Sequence, residues 1–319
     1  MLGYFFKRVL LLIPKLLIIS ILIFIGLSFV PGDPIDHLIP PDQRAKLSPV
    51  QLETLRESLG LNEKLPVRYL RWISGVLKGD FGYSMVSGAS IRVMIARRLP
   101  ATLELAFFGL VIANILGLTL GYISSIKHNS IIDYTNTTLG IIGTSVPEFF
   151  LGLCCIAIFS LHLGWLPTGG RVAVGKETFF DRIEYLVLPV LCLAIGYIAT
   201  LMRYTRGSML DVLNKDYIKA ARSKGISEFR VNCNHGLRNA LIPVMIILVN
   251  RIPVLVSGAV IIENIFNYPG MGRMILDAIS CSDIPVVMFS TMVIATMILV
   301  SSLLVDMLAA LLDPRIRFN

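Results

Sequence analysis

Six runs of apolar residues mark out the chain, at about 9–30, 102–126, 137–164, 184–203, 240–265 and 285–311. Each is about as long as the ~20 residues of helix needed to cross a bilayer's hydrocarbon core. Lipid offers no partner to backbone N–H and C=O groups, so such runs are predicted to be helices. Pro147, Pro189, Pro243 and Pro253 predict kinks in them rather than interruptions. Gly117 and Gly121 form a small-xxx-small pair that lets another helix approach closely. The predicted class is all-α, a polytopic membrane protein with six transmembrane helices.

Composition agrees. Of the 319 residues, 55% are hydrophobic and 16% charged, against about 25% charged in soluble domains. The first run follows Lys7 and Arg8 and is interrupted by Pro14 and Lys15, as a signal peptide could be. No small-x-small cleavage site precedes Pro31, so it is read as a retained first helix. The formal net charge of +8 invites a nucleic-acid reading, but location changes that picture. With the N-terminus inside, the inner segments hold Lys7, Arg8, Lys127, eight Lys/Arg between 203 and 243, Arg315 and Arg317, whereas the short outer loops hold only Arg171, Lys176, Arg182 and Arg273. This asymmetry predicts both termini in the cytoplasm. Much of the positive charge is then an orientation signal.

The first outer region, 31–99, is predicted to be a small helical subdomain. Ser48-Pro49-Val50-Gln51 starts a helix with a capping box, Leu52, Leu55 and Leu59 share a face, and Gly60 stops it. A second helix runs from Pro66 to Lys78, with Val67, Leu70, Ile73 and Leu77 on one side and Gly79 at its end. A third, Ser90 to Leu99, carries Arg92, Arg97 and Arg98 and is read as lying along the membrane surface. The unit is too small to bury much core alone, so it must lean on the spans. Loop 165–183 (Pro167, Gly169, Gly170) and loop 264–284 (Asn267 to Gly272) are turn-rich, with a short helix at 273–280. The division is a first transmembrane helix at 1–30, the extracytoplasmic subdomain at 31–99 and a five-helix membrane core at 100–319.

Catalytic signatures are scarce. The four His stand apart without an HxxxH or HExxH pair, and Cys154, Cys155 and Cys192 read as small buried hydrophobes within apolar runs. Ser160 and His162 are two residues apart and do not face each other on a helix. No GxxxxGK[ST] stretch cradles a nucleotide phosphate. Among the ionisable groups in or near the spans, Glu104, Arg203 and Asp306 lie near ends that reach water, Glu263 is read as organising the outer loop, and Glu148 and Arg251 sit deeper. No ladder of carboxylates forms a proton relay.

The basic insert 203–243 holds Arg203, Arg206, Lys215, Lys219, Arg222, Lys224, Arg230 and Arg238 against Asp211, Asp216 and Glu228. Residues 216–225 read as a short helix with Asp216 as N-cap, Arg222 and Lys224 at its negative end and Gly225 as a left-handed stop. Ser227 can cap a second helix toward Arg238. Ala220 and Ala221 leave a low surface suited to insertion into a groove. A docking knob and a solvated loop that fixes topology fit these residues equally.

Ala220-Ala221-x3-Gly225 resembles the cytoplasmic coupling motif of the membrane subunits of binding-protein-dependent ABC importers. An ordered set extends the likeness: Gly32-Asp33-Pro34, Leu59-Gly60-Leu61, Asp80-Phe81-Gly82, Leu99 to Glu104, Ser145-Val146-Pro147, Leu163 to Pro167, Arg238 to Pro243, Glu263 to Phe266, Pro269 to Arg273 and Asp313-Pro314-Arg315. Together these resemble the first-permease type of the peptide/nickel family over nearly the whole chain. The general motif has Glu where Lys219 stands and an earlier Leu-Pro than Ile242-Pro243, and both departures fit the peptide/nickel branch.

The resemblance implies a type I ABC importer transmembrane fold in a prokaryotic inner membrane. It implies a second homologous permease subunit, two cytoplasmic ATP-binding subunits and an extracytoplasmic solute-binding protein as partners. ATP and Mg belong to the ATPases, and this chain is a transport subunit rather than an enzyme, with no cofactor or metal of its own. Asp216, Tyr217, Ala220, Ala221 and Gly225 take the ATPase-coupling role, and Glu148 and Arg251 are candidates for the translocation path. Peptides are the expected substrate, with nickel or a metal chelate second. An ion-coupled secondary carrier and a membrane-embedded enzyme using Ser160 are the readings outside this class.

Overall fold

The computed structural model describes residues 2–29, 48–58, 62–173, 175, 178–250 and 252–312. Its helices, in order, are α1 (Leu2–Ser28), α2 (Pro49–Ser58), α3 (Leu65–Lys78), α4 (Ile91–Ile126), α5 (Ile131–Ser145), α6 (Glu148–Cys155, continued by a π-helical turn Ile156–His162), α7 (Phe179–Leu213), α8 (Asp216–Ser223), α9 (Glu228–Arg230, followed by a π-helical segment Val231–Leu237), α10 (Arg238–Asn250), α11 (Ile252–Ile265), α12 (Met271–Ser280) and α13 (Ile284–Leu312). Among the described residues there is no strand, only an isolated bridge between Tyr83 and Ser90. The all-α reading holds.

Among the described residues four single helices are long and apolar enough to cross a membrane: Arg8–Ser28, Ile91–Ile126, Phe180–Leu213 and Ile284–Leu308. The predicted span 137–164 is not one kinked helix. It is α5 and α6, bent by 105°. Proline disfavours the helical conformation of the residue before it, and Val146 is accordingly extended at φ −85°, ψ 126°. The run 240–265 is described as α10 and α11, on either side of residue 251, which lies outside the described residues. Pro189 and Pro243, in contrast, sit inside continuous helices.

The middle of the bundle is α4 against α7, with α11 closing over them. Ala113, Cys192, Leu193, Ala194, Tyr197, Ile262 and Phe266 form its core. The small-residue pair makes this contact close. A Cβ on Gly117 would lie 2.8 Å from that of Leu201, and one on Gly121 would lie 2.6 Å from the Met202 carbonyl oxygen. Thr178 and Asp181 start α7 with a reciprocal capping box, so this helix begins inside the stretch expected to be loop.

The outer subdomain departs from expectation in two ways. Ser48 and Gln51 do exchange capping bonds (2.9 and 3.3 Å), and Gly79 ends α3 in the left-handed region at φ 77°; the stop at Gly60 lies outside the described residues. However, the third helix is not separate: residues 91–99 are the first turns of α4, which runs through Pro100. Its buried Ile91 and Ile95 pack with Met271, Met274 and Val286, which holds the segment upright against the bundle. And α3 packs through Tyr69, Trp72 and Val76 rather than through the expected face. Trp72 stacks near Phe24 of α1 and Phe289 of α13, with ring centroids 5.9 and 5.7 Å away.

Candidate functional site

The basic insert folds as a compact knob. Lys215, not Asp216, is the extended residue before α8 (φ −74°, ψ 150°). Asp216 is the first helical residue and accepts from Lys219 Nζ at 3.0 Å. Its charge still favours the positive helix end. At the other end Gly225 N–H donates to the Arg222 carbonyl at 2.9 Å, and Gly225 has φ +75°. That turn brings Ile226 back over the helix, its N–H donating to the Ala221 carbonyl.

Ile218, Ala221 and Val231 are buried together, with Val212, Leu213 and Ile226 around them. The alanine pair is therefore divided. Ala221 faces the knob's own core, while Ala220 and Tyr217 face outward. The low surface expected from both alanines is carried by Ala220 alone. Ile218, missed in the sequence, precedes Ala221 by three positions, the spacing of one helix face. Ser227 holds the cap position of the next helix but makes no side-chain cap bond, and only three residues of α-helix follow before the π-helical segment.

The knob is fastened to the spans. Val212 and Leu213 of α7 pack on its core, and the Tyr122 hydroxyl of α4 lies 3.2 Å from Cys233 Sγ. Within the knob Arg222 donates two bonds to Glu228 (2.8 and 3.2 Å), and just beyond it Ser208 Oγ of α7 donates to the Ala240 carbonyl of α10 at 2.8 Å. Between the knob and the ends of α4 and α7 is a polar cavity of about 500 Å³, lined by Ser125, His128, Asn214, Arg222, Glu228 and Asn232 among others. α8 therefore meets α7 directly through Val212 and Leu213 and reaches α4 by way of the π-helical segment and its Cys233.

One tie went unread in the sequence because its members are 73 residues apart. Arg206 Nε and Nη2 grip Asp133 Oδ1 and Oδ2 at 2.6 and 2.8 Å, and Asp133 is 1% exposed. Removing one member of a buried pair strands the other. Asp133→Ala is expected to destabilise the chain by about 3 kcal/mol, and adding Arg206→Met is expected to restore part of that. Thermal melting of detergent-purified protein measures both.

At the opposite end, Glu263 does organise the outer loop. Its Oε1 accepts from Thr102 Oγ1 at 2.6 Å, and its Oε2 accepts from the Gly272 and Arg273 N–H groups at 2.7 and 3.2 Å. Glu104 does not simply face water. Its Oε2 accepts from Arg171 Nε and Nη2 (2.8 and 2.6 Å) and from the Tyr268 hydroxyl (3.0 Å). Burial, and then the Glu104 charge, push the Tyr268 phenol well above its ordinary range, so it stays a donor. Asp306 pairs with Arg8 at 2.5 Å, joining the first and last spans.

Glu148, the first residue after the 105° bend, is half-buried and has no ion-pair or hydrogen-bond partner among the described residues. Arg251 lies outside them. An apolar cavity of about 310 Å³ flanks the bend, lined by Leu139, Gly140, Gly143, Leu151, Ile195 and Met202 among others. Ser160 Oγ donates to the Pro167 carbonyl at 3.1 Å, which ties it to a structural role. Among the described residues no group of three His, Cys, Asp or Glu is placed to hold a metal.

Known proteins share this architecture and sequence. Two solved structures, an amino acid ABC transporter and the MetNI methionine ABC transporter in an inward-facing conformation, each match with a TM-score of 0.54. They are 16% and 15% identical, and the matches cover 68% and 70% of this chain and 94% and 97% of theirs. The oligopeptide transport system permease protein AppB of Bacillus subtilis (strain 168) is 42% identical over 100% of both chains. The glutathione transport system permease protein GsiC of Escherichia coli (strain K12) is 37% identical over 100% of both. Residues 1–106 match the N-terminal domain described as binding-protein-dependent transport system membrane component. Residues 113–318, well over half the chain, match the binding-protein-dependent transport system inner membrane component, and to that family the chain belongs.

Proposed function

We propose that the chain is one permease subunit of an ATP-driven ABC importer for peptides. The observation that carries this reading is the end-to-end similarity to an oligopeptide permease at 42% identity. The glutathione relative points the same way, since glutathione is itself a tripeptide. A second, homologous permease completes the path, two cytoplasmic ATP-binding subunits supply ATP hydrolysis with Mg, and an extracytoplasmic solute-binding protein delivers the peptide. Both termini and the knob face the cytoplasm. Tyr217 and Ala220 offer the surface that enters the ATPase groove, Asp216 lies at its edge, and Ala221 and Gly225 set its shape. The contacts to α4 and α7 carry nucleotide-driven motion into alternating access. Glu148, at the bend, is the path residue this reading favours, with Arg251 its second candidate.

The test is reconstitution of the four membrane-associated subunits in proteoliposomes with the binding protein outside. Uptake of a labelled oligopeptide that requires ATP and stimulates its hydrolysis is the expected result. Uptake that survives without the ATPases and collapses with an ion gradient would establish a secondary carrier instead. ATP-driven uptake of nickel, with none of peptide, would overturn the substrate.

A further inference from the structure

Helix α3 carries more apolar surface than the described residues cover. Going round the helix, Tyr69, Val76 and Trp72 face α1, α13 and the start of α4; Ile73, Leu77 and Leu70 come next, and Lys78, Arg71 and Arg68 lie beyond. Much of the middle group is left open: Leu70 is 63% and Leu77 83% exposed, and Ile73 is half-buried. In this helix the apolar arc is about twice as wide as the face that packs.

The placement of α3 says what covers the rest. Tyr69 reaches Ser20 of α1, with 2.8 Å between hydroxyl oxygens. Trp72 touches both α1 and α13, and Val76 packs on the cluster around Ile91, Ile95 and Met274. Successive turns of α3 thus meet different spans, so the helix crosses the bundle rather than running along one of its members. Ser20 lies about 12 Å along the axis from the end of α1, at 1.5 Å per residue. Even allowing for the length of a tyrosine side chain, α3 sits below that end. Helices that bind at the interface bury their apolar faces about 5–10 Å into the headgroup boundary. On its other side α1 also exposes apolar residues at the same level, Leu22, Ile25 and Phe29.

We propose that α3 is a membrane-interface anchor, with Ile73, Leu70 and Leu77 in the acyl boundary, Arg68 and Lys78 turned toward lipid phosphates, and Arg71 on the same polar side paired with Glu63. The interfacial role expected of residues 90–99 belongs to α3, because 91–99 is built into α4. Tyr69 and Trp72 sit at the depth where amphipathic rings favour the interface. The anchor fixes the height and tilt of the outer subdomain over the spans. It stands whatever the chain transports.

Single cysteines placed in the full chain, with the exposed Cys281 changed to Ser and the parent as background, test this in native membranes. Leu70→Cys and Leu77→Cys should react with a water-soluble maleimide at least 10-fold more slowly than Arg71→Cys and Lys78→Cys on the same helix. In nanodiscs, a small fluorophore on Leu77→Cys should be quenched by lipids brominated near the acyl carbonyls, and one on Lys78→Cys much less. Equal labelling of the two faces would put the edge in water and overturn the proposal. Protection without lipid quenching would overturn it as well, by assigning the cover to residues 30–47 of this chain or to another protein. So would protection that appears only when a neighbouring permease is co-expressed.

Discussion

A Gly225→Asp chain is expected to reach the membrane at the parent level and to support no measurable uptake, a loss of more than about 10-fold. Nothing lies within 4 Å of a Cβ built at Gly225, so the effect is not a clash. It comes from φ +75°, where a side chain costs up to roughly 1–2 kcal/mol, and from a negative charge placed at the negative end of α8. That is small beside the stability of a membrane bundle. It is large for the knob, whose core is little more than Ile218, Ala221 and Val231. The turn at Gly225 is what sends Ile226 back onto that core, so relaxing it repositions Tyr217 and Ala220 while the spans stay in place. Gly225→Asn separates the causes. Asparagine shares aspartate's tolerance of the left-handed region but adds no charge at the end of α8, so this variant should keep most of the uptake. Transport of labelled peptide and stimulation of the ATPase in the assembled importer are the measurements. Normal values of both in Gly225→Asp would remove the coupling role and leave the insert as a topology signal.

What was legible in the sequence follows how local its cause is. Long apolar runs leave the backbone no choice but helix in lipid, so α1, α4, α7 and α13 were expected. The capping box at Ser48 and the glycine stops at Gly79 and Gly225 are settled by neighbours within four residues. Pro147 was visible too, but whether it kinks or breaks a helix depends on the backbone of Val146, which turned extended. The upright start of α4 was hidden because Arg97, Arg98 and Pro100 look like a boundary. Their neighbours Ile91 and Ile95 find partners nearly 200 residues away, and long basic side chains can lie along apolar surface with their charge in water. The coupling motif located the knob but not its inward face, which depends on Val231 packing across Gly225. The ties Asp133–Arg206 and Glu104–Arg171–Tyr268 leave no periodic trace at all. They are pairings between segments, and one sequence does not announce them.

Replacing Glu263 by Ala is expected to have the largest effect on folding, lowering stability by about 3–6 kcal/mol, because charged hydrogen bonds are worth roughly 1.5–3 kcal/mol each and an orphaned buried donor adds its own penalty. The first turn of α12 has no side-chain cap of its own, yet its N–H groups are satisfied from elsewhere. Met271 N–H donates to Thr102 Oγ1 at 2.8 Å, and Gly272 and Arg273 donate to Glu263. Glu263 and Thr102, from α11 and α4, thus complete a helix start that the local sequence leaves open, and the negative charge suits the positive helix end. The carboxylate fits because position 270 lacks a side chain: a Cβ there would come within 2.1 Å of it. Gly270→Ala should therefore reproduce much of the Glu263→Ala loss without touching a hydrogen-bonding group. Glu263→Gln keeps the shape and one acceptor, so its loss should be well under half. Melting of the three purified variants orders them, and an unchanged midpoint for Glu263→Ala would show that water replaces the carboxylate and that the outer loop is held by Glu104 and Arg171 alone. The ranking matters for transport, because the loop that Glu263 caps also carries Tyr268 onto Glu104. Loss of one cap would free both ends of the plate formed by residues 266–273.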